Sequence, residues 1–171
     1  SNKGHYPGSP IENAGDADWN THFEANSSDG KGTYIEVAFA EIQEVGQVVY
    51  SPRQDADGKG FPLKFKIQGS IQDSGENFVD IATGSATKTQ ELIKISFPET
   101  KCKRLRFVWE EAYNGWPSCS VFYCYKEDNL AQELKDLFVD GVGSALKPNV
   151  SQEGINLLAA RVAQYPVKEP L

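Results

Sequence analysis

YSPRQDADGKGFPLKFKIQGS, residues 50–70, decides the fold. Val48 and Tyr50 end an extended run. Pro52 fixes φ and removes a backbone donor, so the run stops there. The polar stretch Arg53-Gln54-Asp55-Ala56-Asp57-Gly58-Lys59-Gly60 carries two glycines as turn material. Leu63, Phe65 and Ile67 then alternate with Lys64, Lys66 and Gln68, a period of two that puts one set on a core face and the other in water. A loop between two half-buried strands thus holds up one arginine, one glutamine and several carboxylates. Loops on a rigid sheet are where binding residues usually sit. Taken alone, the pattern reads as a solvated hairpin.

The same alternation recurs on both sides. Ile35, Val37 and Phe39 mark a strand over 33–39, and Val45–Tyr50 is the next. Asn77–Ala82 is short and flanked by turns. Leu92–Phe97 alternates again, and Leu105, Phe107 and Trp109 share one face. Cys119–Tyr125 is aromatic and β-rich. Many short strands with frequent turns and no intervening helix predict an all-β sandwich or jelly roll. Residues 1–32 lack periodicity and read as loop. After Tyr125 the period changes. Leu130, Leu134, Leu137 and Phe138 form a helical face with Asp128 as N-cap. Ile155, Leu158 and Val162 form a second, capped by Ser151 and stopped by Pro166. The expected division is a sandwich over 1–126 and a helical appendage or start of a following domain over 127–171.

With 171 residues, 39% hydrophobic and 11% aromatic, the chain can build a core. The net charge of −7 speaks against nucleic acid. Lys103, Arg104 and Arg106 are the only basic cluster, and alternation predicts a solvated strand face for at least two of them. No apolar run reaches the ~20 residues a membrane span needs. The polar start carries no signal segment and is expected to be a cut from a longer chain. The three cysteines, Cys102, Cys119 and Cys124, exclude full pairing. Buried free thiols are expected, with a disulfide from Cys102 left open. Catalysis is not expected. The two histidines, His5 and His22, lie in the loop-rich start. There is no His-Glu-x-x-His, phosphate loop or nucleophile elbow, and Glu110-Glu111 reads as a solvated pair.

Within the opening loop, Asp16, Asp18 and Asn20 alternate and Thr21 follows. Such oxygens suit a hard cation, or they bond local backbone as Asx turns; both readings stay open. The stretch is not an EF-hand, since Thr21 and Ser27 replace the required glycine and glutamate.

The motif order Tyr34-Ile35-Glu36-Val37, Tyr50-x-Pro52-Arg53-Gln54-Asp55, Phe65-x-Ile67-x-x-Ser70, Asn77-Phe78-x-x-Ile81-Ala82 and Arg104-Leu105-Arg106-Phe107 resembles the discoidin, or coagulation factor five/eight type C, domain. The resemblance spans about residues 5–126 and implies a jelly-roll β-sandwich shared with galactose-binding-like carbohydrate modules. It implies a calcium loop at Ala14, Asp16, Asp18 and Thr21, with Ala17 where the family has glycine. Val121 stands where the family adds a glutamate ligand, so a weak site and an empty loop are both open. For sugar it implies Arg53, with Lys59 at a usual asparagine and Glu24 at a usual histidine. One of three family ligands is thus retained, and galactose specificity is not expected to carry over.

Gln54, Tyr113, Asn114 and Trp116 complete the candidate ligand residues. An aromatic face matches the apolar face of a pyranose, and stacking that removes about 80 Å² from water contributes roughly 2 kcal/mol. Millimolar affinity needs about 4 kcal/mol, so hydrogen bonds from Arg53 and Asn114 must supply the rest. Trp116 either faces the ligand or folds back as a lid on the core. The tail, through Asp136-Leu137-Phe138, Asp140-Gly141 and Ser144–Val150, resembles the linker after such a module in enhancin-like zinc metallopeptidases that cut mucin-type glycoproteins. The expected function is a non-catalytic glycan- or glycoprotein-binding module of a secreted or surface bacterial protein. The alternative is a protein-interaction or spacer module that positions a downstream domain.

Overall fold

The computed structural model describes residues 1–125, 134–140 and 145–162. The chain divides into two compact units, Ser1–Glu127 and Asp128–Leu171. The first unit holds strands β1 (Phe23–Glu24), β2 (Thr33–Ser51), β3 (Pro62–Ser70), β4 (Val79–Ser85), β5 (Ile93–Ala112), β6 (Ser118–Cys119) and β7 (Val121–Tyr125). A 3-10 turn, Ile11–Ala14, precedes them. The second unit holds α1, Gln152–Val162. Among the described residues no helix is long and apolar enough to cross a membrane.

The strands form an antiparallel five-stranded sheet in the order β4-β3-β5-β2-β7 and a two-stranded sheet of β1 and β6. The large sheet serves as both layers because β2 and β5 are long and change register between Ala38 and Gln43. Their ends at Thr33–Ala38 and Arg104–Trp109 pair with each other. The opposite ends, Val45–Tyr50 and Ile93–Thr100, pair likewise, and β7 adds to Gln47–Ser51. Bulges bend a strand and let it turn a corner. Aromatic rings join the layers: Tyr50 stacks on Phe107 at 6.0 Å, and Phe122 lies 5.6 Å from the same ring.

Several expectations are corrected here. Residues 50–70 are not a hairpin. β2 and β3 do not pair; β3 sits between β4 and β5, so the loop between them crosses from one edge pairing to another. Thr33–Phe39 and Val45–Tyr50 are one strand, as are the runs at Leu92 and Arg104. The exposed Glu41–Glu44 stretch between the first two runs stays extended.

The basic strand face is not solvated. Arg104 and Arg106 are 7% and 6% exposed. Glu36 accepts from Arg104 Nη1 at 3.1 Å and from Arg106 Nε at 2.7 Å, and Glu76 accepts from Arg106 Nη1 at 2.6 Å. The Arg106 guanidinium lies 4.0 Å from the Tyr34 ring centroid and 3.7 Å from that of Phe78. The flat, weakly hydrated guanidinium tolerates this position between rings.

Leu105, Phe107 and Trp109 are fully buried, as their alternation predicts. The three thiols are free; Cys102 and Cys119 are buried and Cys124 half-buried. Burial pushes the Cys124 thiol up to about 12, which leaves it unreactive. In the second unit Ser151 caps α1, its hydroxyl accepting from the Gly154 amide at 3.1 Å. The expected helical face is helical at residues 134–136 but does not run on to Phe138: Leu137 is in a turn and Phe138 bridges to Leu146. Asp128, Leu130 and Pro166 lie outside the described residues.

Gly60 fixes how the organising loop meets the core. Its amide donates to the Tyr113 carbonyl at 2.8 Å, and its carbonyl accepts from Trp109 Nε1 at 2.9 Å. Its φ is +79°, and a Cβ would collide with the Trp116 carbonyl and the Ser118 amide and hydroxyl. Gly60→Ala is therefore expected to destabilise the fold by about 2–4 kcal/mol. Urea titration followed by Trp109 fluorescence checks this; an unchanged midpoint would contradict it.

Candidate functional site

The loop after Pro52 and the strand β1 converge on one buried carboxylate. Glu24 is 4% exposed. Its Oε2 accepts from Arg53 Nη1, and its Oε1 accepts from Lys59 Nζ at 3.0 Å. Arg53 also grips Asp55 in a two-pronged contact, Nε to Oδ1 at 2.7 Å and Nη2 to Oδ2 at 2.9 Å. A guanidinium has five N–H groups, and these contacts use three. His22 stands nearby, Nε2 3.8 Å from Glu24 and Nδ1 3.9 Å from Asp55, with Nε2 also 3.1 Å from the Ser9 hydroxyl.

The charges perturb one another in the expected directions. The Arg53 contact holds the Asp55 carboxyl down at about 2 against an ordinary 3.8. The same hydrogen bond raises Arg53. Burial, and then the Arg53 charge, lower His22 and keep its imidazole neutral at physiological pH.

Three of the sequence-derived residues, Arg53, Glu24 and Lys59, thus meet directly. Trp116 joins them: Lys59 Nζ stands 5.2 Å from its ring centroid, and Tyr6 meets the ring edge-on at 5.8 Å. Trp116 is not packed into the core cluster, whereas Tyr113 is. Tyr113 takes Lys88 Nζ at 5.3 Å. Asn114 is exposed. Asn114, Gly115 and Trp116 are all left-handed, with φ of 55°, 64° and 53°. Strain of this kind in side-chain-bearing residues persists only where the surroundings hold it. The Trp116 amide does so by donating to the Ser27 carbonyl at 3.1 Å. Gln54 stands apart from the charges: its amide donates to the carbonyls of Pro52 at 2.7 Å and Gln90 at 3.1 Å.

The opening loop gathers Asp16, Asp18 and Thr21. Asp16 accepts from the Asp18 amide at 2.8 Å and the Thr21 hydroxyl at 2.7 Å; Asp18 accepts from the Asn20 amide at 2.9 Å. The first two contacts hold the Asp16 carboxyl below its usual range. Ala17 keeps the left-handed φ of 63° that a glycine would adopt. The donors are all oxygens and suit a hard cation in kind. Val121, at the family's glutamate position, is 2% exposed and offers none. Ala14 is buried at the end of the 3-10 turn. Among the described residues no cluster of three His, Cys, Asp or Glu side chains could hold a metal.

An open cavity of about 210 Å³ lies on the Asp55 side of Arg53, walled by Trp19, Asn20, His22, Gln54, Asp55 and Ser120. Of these only Gln54 was singled out from sequence as a ligand residue. Trp19 and Asn20 lie inside the stretch read there for a cation, which masked them as wall residues.

The family model of the F5/8 type C domain matches residues 1–122. No curated protein matches the chain. Among solved structures, the CBM32-1, CBM32-2 and M60 catalytic domains of Clostridium perfringens ZmpB are 32% identical, with a TM-score of 0.69, covering 97% of this chain and 18% of that one. The ZmpB CBM32-1 and CBM32-2 domains in complex with GalNAc are 31% identical, with a TM-score of 0.68, covering 96% of this chain and 43% of that one. The chain therefore spans less than half of these relatives. The family 32 CBM of C. perfringens NanJ, in complex with galactose, shares the fold at 17% identity and a TM-score of 0.63. It covers 72% of this chain, so the ZmpB likeness runs further, into the second unit.

The Arg53–Asp55 contact makes a pH prediction. The folded value of Asp55 lies below its unfolded one, so its contribution is present above the ordinary 3.8 and is lost as pH falls through about 2. Asp55→Asn should flatten the stability–pH curve in that window, measured by urea midpoints. An identical slope in both proteins would count against the contact.

Proposed function

The chain belongs to the F5/8 type C domain family, and from that membership we propose that it is a non-catalytic carbohydrate-binding module. The glycan is held at Arg53 and Lys59 beside Trp116. One observation carries this reading: Arg53 is fixed by two carboxylates yet keeps two N–H groups for a ligand. Lys59 adds an ammonium whose side chain is 33% exposed. Trp116 adds a ring outside the core for a pyranose face. Relatives at about this level of identity include a complex with GalNAc, which supports an amino sugar or galactose-type ligand. Secretion or surface display by a bacterium, with a glycoprotein such as mucin as target, fits the same reading. So does a place in a multidomain chain, since one relative also carries an M60 catalytic domain. The second unit is then the joint to a following domain.

A spacer or protein-interaction role has one observation in its favour, the internal pairing of both Glu24 oxygens. A glycan array followed by calorimetry separates the two. Arg53→Lys keeps a cation for Glu24 but loses the fork. This variant and Lys59→Ala are each expected to weaken the best array hit by roughly tenfold or more. An array with no hit would overturn the glycan reading and leave the interaction role, whereas unchanged affinity in both variants would remove Arg53 and Lys59 from the binding site.

Calcium is proposed for the loop of Asp16, Asp18, Thr21 and the Ala14 carbonyl, where it would brace the segment that carries Trp19 and His22. Added calcium is expected to raise the melting temperature of the wild type and not of Asp16→Ala. No shift at millimolar calcium would remove the metal from the account.

A further inference from the structure

The cavity on the Asp55 side of Arg53 is not lined by Lys59, Trp116 or Tyr113. Its wall contains an unpaired buried group. Ser120 is 1% exposed, and its hydroxyl has no hydrogen-bond partner. Its backbone is pinned, the amide donating to the Ser51 carbonyl at 2.9 Å. A buried hydroxyl left unpaired is costly and calls for a partner. At the rim, Trp19 is 39% exposed and takes no part in the core.

We propose that this cavity, walled by Trp19, Asn20, His22, Gln54, Asp55 and Ser120, is a second sugar subsite that takes one uncharged hexopyranose. The proposal rests on the glycan-binding reading and extends it to a neighbouring position on the same glycan. Size supports it: about 210 Å³ is below the roughly 300 Å³ of a drug-sized pocket and suits a single ring. Chemistry supports it too. A ring hydroxyl satisfies Ser120, the apolar ring face meets the Trp19 indole, and the Asp55 carboxylate accepts a second hydroxyl. These groups are set in advance. Arg53 fixes Asp55 from two nitrogens, and the Ser9 hydroxyl fixes His22. The charge pattern excludes acidic sugars. Asp55 faces the cavity as an anion, Glu24 stands behind, and the Arg53 charge is shared between those two carboxylates. Arg53 does not line the cavity, but it holds the wall residue Asp55 while also meeting Glu24, which places the two positions next to each other.

The three tryptophans supply the test. Nitrogen-15 labelled protein shows three indole N–H signals, assigned with Trp19→Phe and Trp116→Phe. Methyl glycosides of galactose, N-acetylgalactosamine, glucose and mannose are titrated to about 100 mM, the range weak subsites require. Glucuronic acid is the charged control. At least one neutral glycoside is expected to move the Trp19 signal saturably, while buried Trp109 stays still and glucuronic acid has no effect. The Trp19 shift should survive in Trp116→Ala. It should weaken by roughly tenfold in Ser120→Ala, with the Trp116 response unchanged. If sugars move Trp116 and never Trp19, or if Ser120→Ala changes nothing at Trp19, the subsite falls and the glycan reading stands. If no sugar moves either signal and the array is blank, both fall.

Discussion

The buried carboxylate of Glu24 constrains the loop after Pro52 and the candidate site built on it. A carboxylate at 4% exposure cannot remain a bare ion. It must be met by cations, and the chain supplies them from one loop: Arg53 at its start and Lys59 near its end. That loop is thereby folded over β1. Removing one partner of such a pair costs about 3–5 kcal/mol because the other charge stays buried alone. The pair is therefore better understood as a device that fixes position than as a net source of stability. It sets the Arg53 fork, and the fork sets Asp55.

The same loop is tied to the core by backbone contacts that do not depend on charge. Gly60 accepts from the Trp109 indole, and the Tyr50 hydroxyl donates to the Ser118 carbonyl at 2.6 Å. Tyr50 and Trp109 belong to the aromatic group that joins the two layers. Polar tips of buried rings thus hold the loops, while the ring bodies hold the sandwich. A ligand face built this way is supported by side chains whose rotamers are locked by packing.

Alternation in β3 and in the Arg104–Trp109 stretch made the layered all-β fold legible, because a period of two needs no distant information. The corner in β2 was not legible: alternation breaks off after Phe39 and resumes at Val45, and only pairing with β5 on both sides of the break joins the two runs into one strand. Burial of Arg104 and Arg106 was hidden for a related reason. Their partners Glu36 and Glu76 lie 68 to 70 and 30 residues away. At the site, Arg53, Glu24 and Lys59 came from motif positions, and the structure brings them together. The cavity did not come that way. An unpartnered hydroxyl at Ser120 is a fact of three dimensions, and His22 two residues before Glu24 has no local sign of facing Asp55.

Charge bookkeeping within the site limits what it can recognise. Arg53, Lys59, Glu24 and Asp55 cancel as a group, and His22 is neutral. A neutral ligand entering here gains little from net charge, while the Asp55 carboxylate still sets the local sign at the cavity. Recognition must come from the remaining N–H groups, from hydroxyl partners and from aromatic faces. Each such hydrogen bond contributes about 1 kcal/mol net, so a single ring position reaches only weak affinity. Linking two weak positions makes the second encounter intramolecular and multiplies affinity without any stronger contact. With Trp116 beside the Lys59–Glu24 pair and Trp19 on the wall that holds Asp55, two such positions, if both take a sugar as proposed, would reward a longer neutral glycan.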